Sequence, residues 1–326
     1  MNSKLNVILY SEDYQNIWDD FVSKAKNSTF LFYRDFMEYH SDRFLDFSLM
    51  VYKEDKLVAV LPANIVLDTI HSHQGLSYGG LLLQPRVIFE DVVYILKSIL
   101  LFLESKAIST LSFKLTPEIY HNYPSNEIDY LLFLLKASLI RRDISATINM
   151  SNKKLPMSTN RRRNLKKALN SDILVKEVDD LSDFWGHILI PNLGKKHQAL
   201  PVHTIQEISY LKSKFPENIK QFNAYHNNSI IAGVTLFLTD QVVHAQYIST
   251  RDEFKKLGGL DAIFNYLIGF YSHKRYFDFG ISNENQGRCV NLGLLSWKES
   301  FGARVTTHDF YNVKTKNHSL LDAFFV

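Results

Sequence analysis

Lys255-Lys256-Leu257-Gly258-Gly259-Leu260 stands between an extended apolar run, Val242–Ser249, and a helical stripe. Leu260, Ile263, Phe264, Leu267, Ile268 and Tyr271 recur at i, i+3, i+4, i+7, i+8 and i+11, one face of a helix. Such a face packs on a sheet and leaves the first turn of the helix at the sheet's rim. Glycines there expose backbone N–H groups, the helix dipole favours an anion, and two lysines add positive charge. A pyrophosphate suits that place. A glycine-rich strand-to-helix connection with solvated lysines is the plainer alternative.

Working outward, the C-terminal half reads as strand Ile173–Val178, helices near Leu181–Leu193 and Thr204–Lys214, and a hairpin of Ile219–Tyr225 and Ile230–Leu238. Asn227-Asn228 at its tip tolerate the positive φ of a tight turn. Strand Val242–Ser249, the helix after the glycines, strand Tyr276–Phe279, a helix near Val290–Ser300 and strand Ala303–Tyr311 complete the half. The N-terminal half has a similar order. Strand Leu5–Tyr10 and helices Tyr14–Lys26 and Tyr33–Arg43 precede a hairpin of Phe47–Tyr52 and Leu57–Val66. A third strand Leu76–Leu83, helix Glu90–Ser105, strand Thr110–Leu115, a helix around Tyr130–Ala137 and strand Arg141–Met150 follow. Two copies of one α/β module are therefore expected, 1–150 and 151–326, joined near Ser151–Lys167, with one larger irregular α/β domain as the alternative. In the first copy the equivalent connection, Leu83-Gln84-Pro85-Arg86-Val87, has no glycine and a proline that removes a donor. Only the C-terminal copy is equipped to cradle phosphates.

Composition agrees with this picture. A chain of 326 residues is about two domains' length. With 46% hydrophobic and 22% charged residues it is too apolar for disorder. The net charge of +3 is too small for a dedicated nucleic-acid binder. One cysteine, Cys289, excludes a disulfide framework and cysteine-rich zinc sites and fits a reducing cytoplasm. The polar start Met1-Asn2-Ser3-Lys4 lacks an apolar signal core, and the most lipid-like stretch, Val87–Leu103, carries Glu90, Asp91 and Lys97. A cytoplasmic protein without a membrane span is expected. The twelve histidines show no metal-binding spacing, and no nucleophile elbow occurs, so no metal is expected.

The element order resembles the GNAT acyltransferase fold, whose coenzyme A loop has the pattern Arg/Gln-x-x-Gly-x-Gly/Ala. Lys255-x-x-Gly258-x-Leu260 matches at the first glycine with lysine in the basic place, and departs at Leu260. Phe277-Asp278-Phe279-Gly280-Ile281-Ser282, then Gly287 and Trp297-Lys298-Glu299-Ser300-Phe301-Gly302, resemble the double-GNAT branch that includes FemAB-like proteins. The resemblance implies two tandem GNAT-like modules, each a mixed twisted sheet flanked by helices. Bacterial N-acyltransferases of surface-polysaccharide synthesis (O-antigen or capsule) are similar in size and lack a tRNA-binding coiled-coil arm. The implied reaction moves an acetyl or short hydroxyacyl group from acyl-CoA to the amine of a nucleotide-linked amino sugar, such as a dTDP-3-amino-3,6-dideoxyhexose.

In that chemistry a neutral amine attacks a thioester, and the enzyme takes up a proton and stabilises an oxyanion. The resemblance implies that a splayed strand, here Val242–Ser249, offers free backbone N–H groups to the pantetheine. Ser249, Lys255, Lys256, Gly258, Gly259 and Leu260 are then the cofactor-binding candidates, with His244, Gln246 and Tyr247 beside the reaction centre. Three bases compete. Glu284 lies just beyond a strand end, or is a solvated loop carboxylate; His244 has a suitable intrinsic pKa, or is a hydrogen-bonded core residue. His73, in a glycine-flanked polar run, lines a cleft between modules or forms a turn, and a water chain serves if none of the three does. Arg161-Arg162-Arg163-Asn164-Leu165-Lys166-Lys167 binds the sugar nucleotide's diphosphate or coenzyme A's 3′-phosphate, or is a solvated helical face. Arg161, Arg163 and Lys298 are thus phosphate candidates, Trp297 and Tyr78 stacking platforms, and Tyr247 and Ser282 further substrate contacts. The rivals are a FemAB-like transferase using aminoacyl-tRNA and a peptidoglycan precursor, and a non-catalytic glycan- or partner-binding protein.

Overall fold

The computed structural model describes residues 5–151 and 154–323, apart from the side chains of Lys196 and His197. Met1–Lys4, and Asn152 and Lys153 in the expected junction, lie outside the described residues. Along the first part of the chain run β1 (Leu5–Leu9), α1 (Gln15–Lys24), α2 (Arg34–Met37), β2 (Leu49–Lys53), β3 (Lys56–Leu61), β4 (Asn64–Val66), β5 (Thr69–His71), β6 (Leu82–Leu83), α3 (Phe89–Ser105), β7 (Thr110–Lys114) and α4 (Glu127–Leu134). Then come β8 (Ser138–Asn149), α5 (Thr159–Leu169), β9 (Leu174–Val178), α6 (Ser182–Phe184), a π-helical turn Trp185–Leu189, α7 (Ile190–His197) and α8 (Ile205–Lys214). The last third holds β10 (Ile219–His226), β11 (Ser229–Leu238), β12 (Val242–Thr250), α9 (Gly259–Phe270), β13 (Tyr276–Ile281), β14 (Asn283–Glu284), β15 (Cys289–Val290), α10 (Leu292–Glu299) and β16 (Arg304–Lys314).

Two units result, residues 1–143 with 307–326, and residues 144–306. The chain's end thus returns to the first unit, because the C-terminal part of β16 pairs antiparallel with β7, Phe310 opposite Lys114. That long-range pairing leaves no trace in local sequence, and it makes the boundaries differ from a break at 150.

In the first unit β1, β2, β3 and β6 form one antiparallel sheet, while β4, β5, β7 and β16 line up with a parallel β5–β7 pair. Leu57–Val66, expected as one strand, is two. Pro62 cannot donate to a ladder, so β3 stops at Leu61 and β4 joins other strands. Of the expected third strand Leu76–Leu83 only Leu82 and Leu83 form a strand, and Gly79 makes an isolated bridge to Leu115. The expected helix Tyr33–Arg43 is a single α-turn continued by a 3₁₀ turn, Glu38–His40. Helix α3 holds this core together: Val92, Val93, Ile95, Leu96, Ile99, Leu100 and Leu103 are all buried, each stabilising by about 2 kcal/mol.

In the second unit the order is β8, β13, β12, β11, β10, β9, antiparallel throughout except for β12–β13. The stripe on α9 behaves as its spacing requires: Ile263, Phe264, Leu267, Ile268 and Tyr271 are buried in the core with Phe222, Ile231 and Val234. Helix α8 starts at a capping box, in which Thr204 Oγ1 accepts from Glu207 N–H and Glu207 Oε2 from Thr204 N–H. The expected junction contains α5, capped by Ser158, whose hydroxyl accepts from Arg161 N–H.

The end of β13 is braced from α10. The ammonium of Lys298, almost fully buried, donates to the carbonyls of Gly280 and Ile281, both at 2.7 Å. Burial pushes it down to about 8, against a small opposing pull from Asp278. In the first unit burial brings Lys114 to about 8 as well. After α10 the chain turns at Gly302, where φ is +96° and an added Cβ would lie 2.4 Å from the Leu155 carbonyl oxygen.

Two outcomes follow from these contacts. Gly302→Ala combines a disfavoured φ with a backbone clash, so urea denaturation will show a loss of about 2–3 kcal/mol. For Lys298 and Lys114 the folded chain begins to shed protons near pH 8, while the unfolded chain holds them to about 10. The unfolded state then binds more protons, so stability rises from pH 8 to about 10. Lys298→Met will flatten that rise by on the order of 2 kcal/mol in denaturation midpoints measured across the window.

Candidate active site

The site grows from a parting of two strands. Parallel pairing of β12 with β13 covers only Val242–Tyr276, Val243–Phe277 and His244–Asp278. Beyond His244, β12 keeps β11 as a neighbour, with Thr250 still opposite Ala232, while β13 keeps β8, with Asp278 opposite Thr147 and Ile281 opposite Ser145. Ala245–Thr250 thus have one strand neighbour instead of two. A bulge adds to the distortion: Thr235 faces Tyr247 and Leu236 faces Ala245, so Gln246 is the extra residue. Bulges re-aim strands next to active sites.

His244 stands at the vertex. Its Nδ1 lies 3.0 Å from Asp278 Oδ2, and its side chain keeps 17% exposure while that of Asp278 has none. The other oxygen of Asp278 accepts from Ser145 Oγ, from Thr147 Oγ1 at 3.3 Å and from Gly280 N–H at 3.0 Å. A buried carboxylate persists only when its lone pairs are filled in this way. Because a carboxylate only accepts, His244 Nδ1 carries the hydrogen of that bond. Asp278 is the residue that sequence reading missed. It lies inside the quoted run Phe277-Asp278-Phe279-Gly280, and its signal was an acid in the middle of an otherwise apolar strand.

The phosphate-loop candidates lie at the far end of β12. Residues 252–257 form a 3₁₀ turn, and Gly258 adopts a left-handed conformation (φ +81°) as the N-cap of α9. Lys255 and Lys256 are exposed, whereas Gly258 and Gly259 are buried and Leu260 packs at the core's edge. Gly259 is small because α9 sits tightly on β11: an added Cβ would meet Ile231 and Ala232 at 3.0–3.2 Å. Ala262 is the first residue of α9 whose N–H reaches a helical carbonyl, that of Gly258, which leaves the preceding amides for other partners, as at every helix start. Ser249 accepts from Asn192 Nδ2 at 2.8 Å, and Asn192 also donates to the Thr250 carbonyl.

Several other candidates serve different contacts. Arg161 pairs with Asp261 in the first turn of α9, donates to Ser300 Oγ at 2.8 Å and stacks over Phe301 at 4.4 Å. Trp297 packs edge-on against Phe264 and Phe301, and Lys298 is spent on the carbonyls above. Tyr247 is buried beside Trp185, its hydroxyl 2.5 Å from His203 Nδ1, and burial pushes it up to about 12. Ser282 is buried, and its hydroxyl has no hydrogen-bond partner among the described residues. Glu284 belongs to the exposed β14–β15 hairpin and accepts from Asn291 Nδ2 at 3.0 Å. Arg163 is exposed on α5.

His73 and Tyr78 belong to the first unit. His73 is buried against His40 and Phe44, and burial lowers it to about 3, so it stays neutral. Tyr78 is buried too, donating to Thr29 Oγ1 at 3.1 Å. Among the described residues no group of three histidine, cysteine or acidic side chains is placed to hold a metal, and no helix is long and apolar enough to cross a membrane.

Neither a family model nor a curated protein matches this sequence. Solved structures do. FemX is similar with a TM-score of 0.69 at 11% identity, over 95% of this chain and 98% of that one. The C-terminal domain of a putative lysylphosphatidylglycerol synthetase from Agrobacterium fabrum reaches 0.59 at 9% identity, covering 96% and 94%. L-PGS from Bacillus licheniformis reaches 0.52 at 12% identity, covering 81% and 85%. At such identities the likeness concerns the fold. This chain has a mixed α/β fold that it shares with FemX along nearly its whole length.

Proposed function

We propose that the protein is an N-acyltransferase that moves an acyl group from acyl-CoA to the amine of a nucleotide-linked amino sugar, a dTDP-3-amino-3,6-dideoxyhexose being the type considered. The His244–Asp278 pair at the vertex of the β12–β13 split carries the proposal. In this reading His244 Nε2 takes the proton that the attacking amine loses, and Asp278 holds the ring and balances its charge. The amine nitrogen bonds to the thioester carbon, the carbon–sulfur bond breaks, and the sulfur takes the proton back from His244 so that coenzyme A leaves as its thiol. Amides of Ala245–Thr250 that face away from β11, at and beyond the Gln246 bulge, are the donors for the developing oxyanion. Residues 255–260 hold the diphosphate and Ser249 borders the pantetheine, while Tyr247 and Ser282 flank the reacting groups.

The FemX-like and lysylphosphatidylglycerol synthetase-like architecture favours a second reading, in which the acyl donor is an aminoacyl ester on tRNA. The chain's small net charge speaks against it, since binding tRNA needs a broad basic surface.

Mass spectrometry of reactions containing acetyl-CoA and a panel of nucleotide-linked amino sugars will show a product 42 Da heavier, the mass of an acetyl group replacing hydrogen, in roughly neutral buffer. His244→Gln will lower kcat by about 10²–10⁴-fold, the usual contribution of a positioned base. Calorimetric affinity for acetyl-CoA will weaken in Lys255→Ala/Lys256→Ala. Turnover with aminoacyl-tRNA and none with any acyl-CoA would replace this reading by the second.

A further inference from the structure

The peptide of Gly280 joins three parts of the candidate site. On β13 the register against β8 shifts between Asp278 and Ile281, so Phe279 and Gly280 together stand opposite one residue, Ala146. Pairing with β12 has already ended at Asp278. Freed from the ladder, Gly280 takes a φ of +76° and turns its N–H to Asp278 Oδ1 at 3.0 Å. It also lies against the imidazole, since an added Cβ would stand 3.3 Å from His244 Cε1 and 3.9 Å from Nε2. Its carbonyl, like that of Ile281, accepts from the Lys298 ammonium at 2.7 Å. An unbroken series of polar contacts therefore runs from Lys298 through the Gly280 peptide to Asp278, and from Asp278 Oδ2 to His244 Nδ1 at 3.0 Å.

Two carbonyls need only a neutral donor, and a hydroxyl or an amide would serve. A buried ammonium is a costly substitute, because it gives up its hydration. Lys298 is 2% exposed, and burial brings it down to about 8. The charge that acts on it is Asp278, whose pull opposes the loss of the proton. By reciprocity the ammonium favours the carboxylate form of Asp278. The other charged or titratable groups around α10 have their own partners: His244 is bound to Asp278, and Arg161, 5.7 Å from the Trp297 ring, is paired with Asp261. A full charge at this place does what a neutral donor does not. It holds an unexposed carboxylate ionised as well as anchoring the peptide beside it.

Resting on the His244–Asp278 reading, and on no particular acyl donor, we infer that Lys298 is a positioning residue: its ammonium fixes the Gly280 peptide and the charge of Asp278, and through them orients the His244 ring. In this role it touches no reacting atom. The buried lysine and the histidine are then one electrostatic unit, so a change in the charge of the first is felt by the second.

The test follows the His244 ring by NMR, its signals assigned by their loss in His244→Gln, as the pH is raised from about 6 to 10. In the unaltered protein the ring signals are expected to shift with an inflection close to pH 8, as Lys298 gives up its proton. That inflection is absent in Lys298→Met and Lys298→Gln, which have no charge to lose, and in Lys298→Arg, which keeps its charge throughout. Turnover supplies a second readout. Lys298→Met lowers kcat by about 10–100-fold and leaves KM within about twofold, and Lys298→Arg recovers part of the loss. No inflection near pH 8 in the unaltered protein, or one that survives in all three variants, would overturn the inference. So would a KM that rises while kcat stays, the mark of a lysine that binds substrate. Absence of turnover with every acyl-CoA removes the acyl-CoA reading alone, and the NMR titration still decides the role of Lys298.

Discussion

Three parallel residue pairs hold β12 to β13, and then the strands part. The rest of the candidate site depends on that short pairing. A parallel pair that continued would cover the β13-facing edge of Ala245–Thr250 with a second strand. Because it stops, the strand edge stays available and a histidine comes to lie at the open vertex, with a carboxylate already bound to its inner nitrogen. The cost of parting the strands is offset around Asp278, where two hydroxyls, a backbone N–H and an imidazole satisfy a charge with no exposure. On β13 the Lys298 ammonium caps the carbonyls of Gly280 and Ile281, which have left regular pairing with β12.

The cations divide into two kinds. Arg161 and Lys298 were expected to meet substrate phosphates, yet both are turned inward and saturated, one by Asp261 and Ser300, the other by main-chain carbonyls. Lys255, Lys256, Arg163 and Lys167 stay exposed. Nothing in a one-dimensional charge run separates these groups. Arg161 and Arg163 are two residues apart on one helix, and helical geometry alone sends them to different sides.

Local physics was readable wherever it dominated. The α9 stripe, the helix after Pro85 and the β10–β11 hairpin with its Asn227-Asn228 turn each follow from side chains close in sequence, and the structure has all of them. The breaks were less visible. Pro62 divides one expected strand between two sheets, and the glycines near Gly79 leave a single bridge where a strand was expected. In the junction, where the basic run has a solvated helical face as one of its readings, a helix capped by Ser158 forms with Ala168 as its buried residue.

By itself the sequence determined the α/β class, the repeated order of elements and a glycine-lysine loop between a strand and a helix, since composition, periodicity and turn chemistry act over a few residues. Only the tertiary structure decided that β16 returns to β7, that Asp278 lies under His244, and that α5 lies against Gly258. Each of these joins residues from 34 to about 200 positions apart. Such pairings are chosen by which buried polar groups find partners and which surfaces close without voids, and no short window of sequence contains that information.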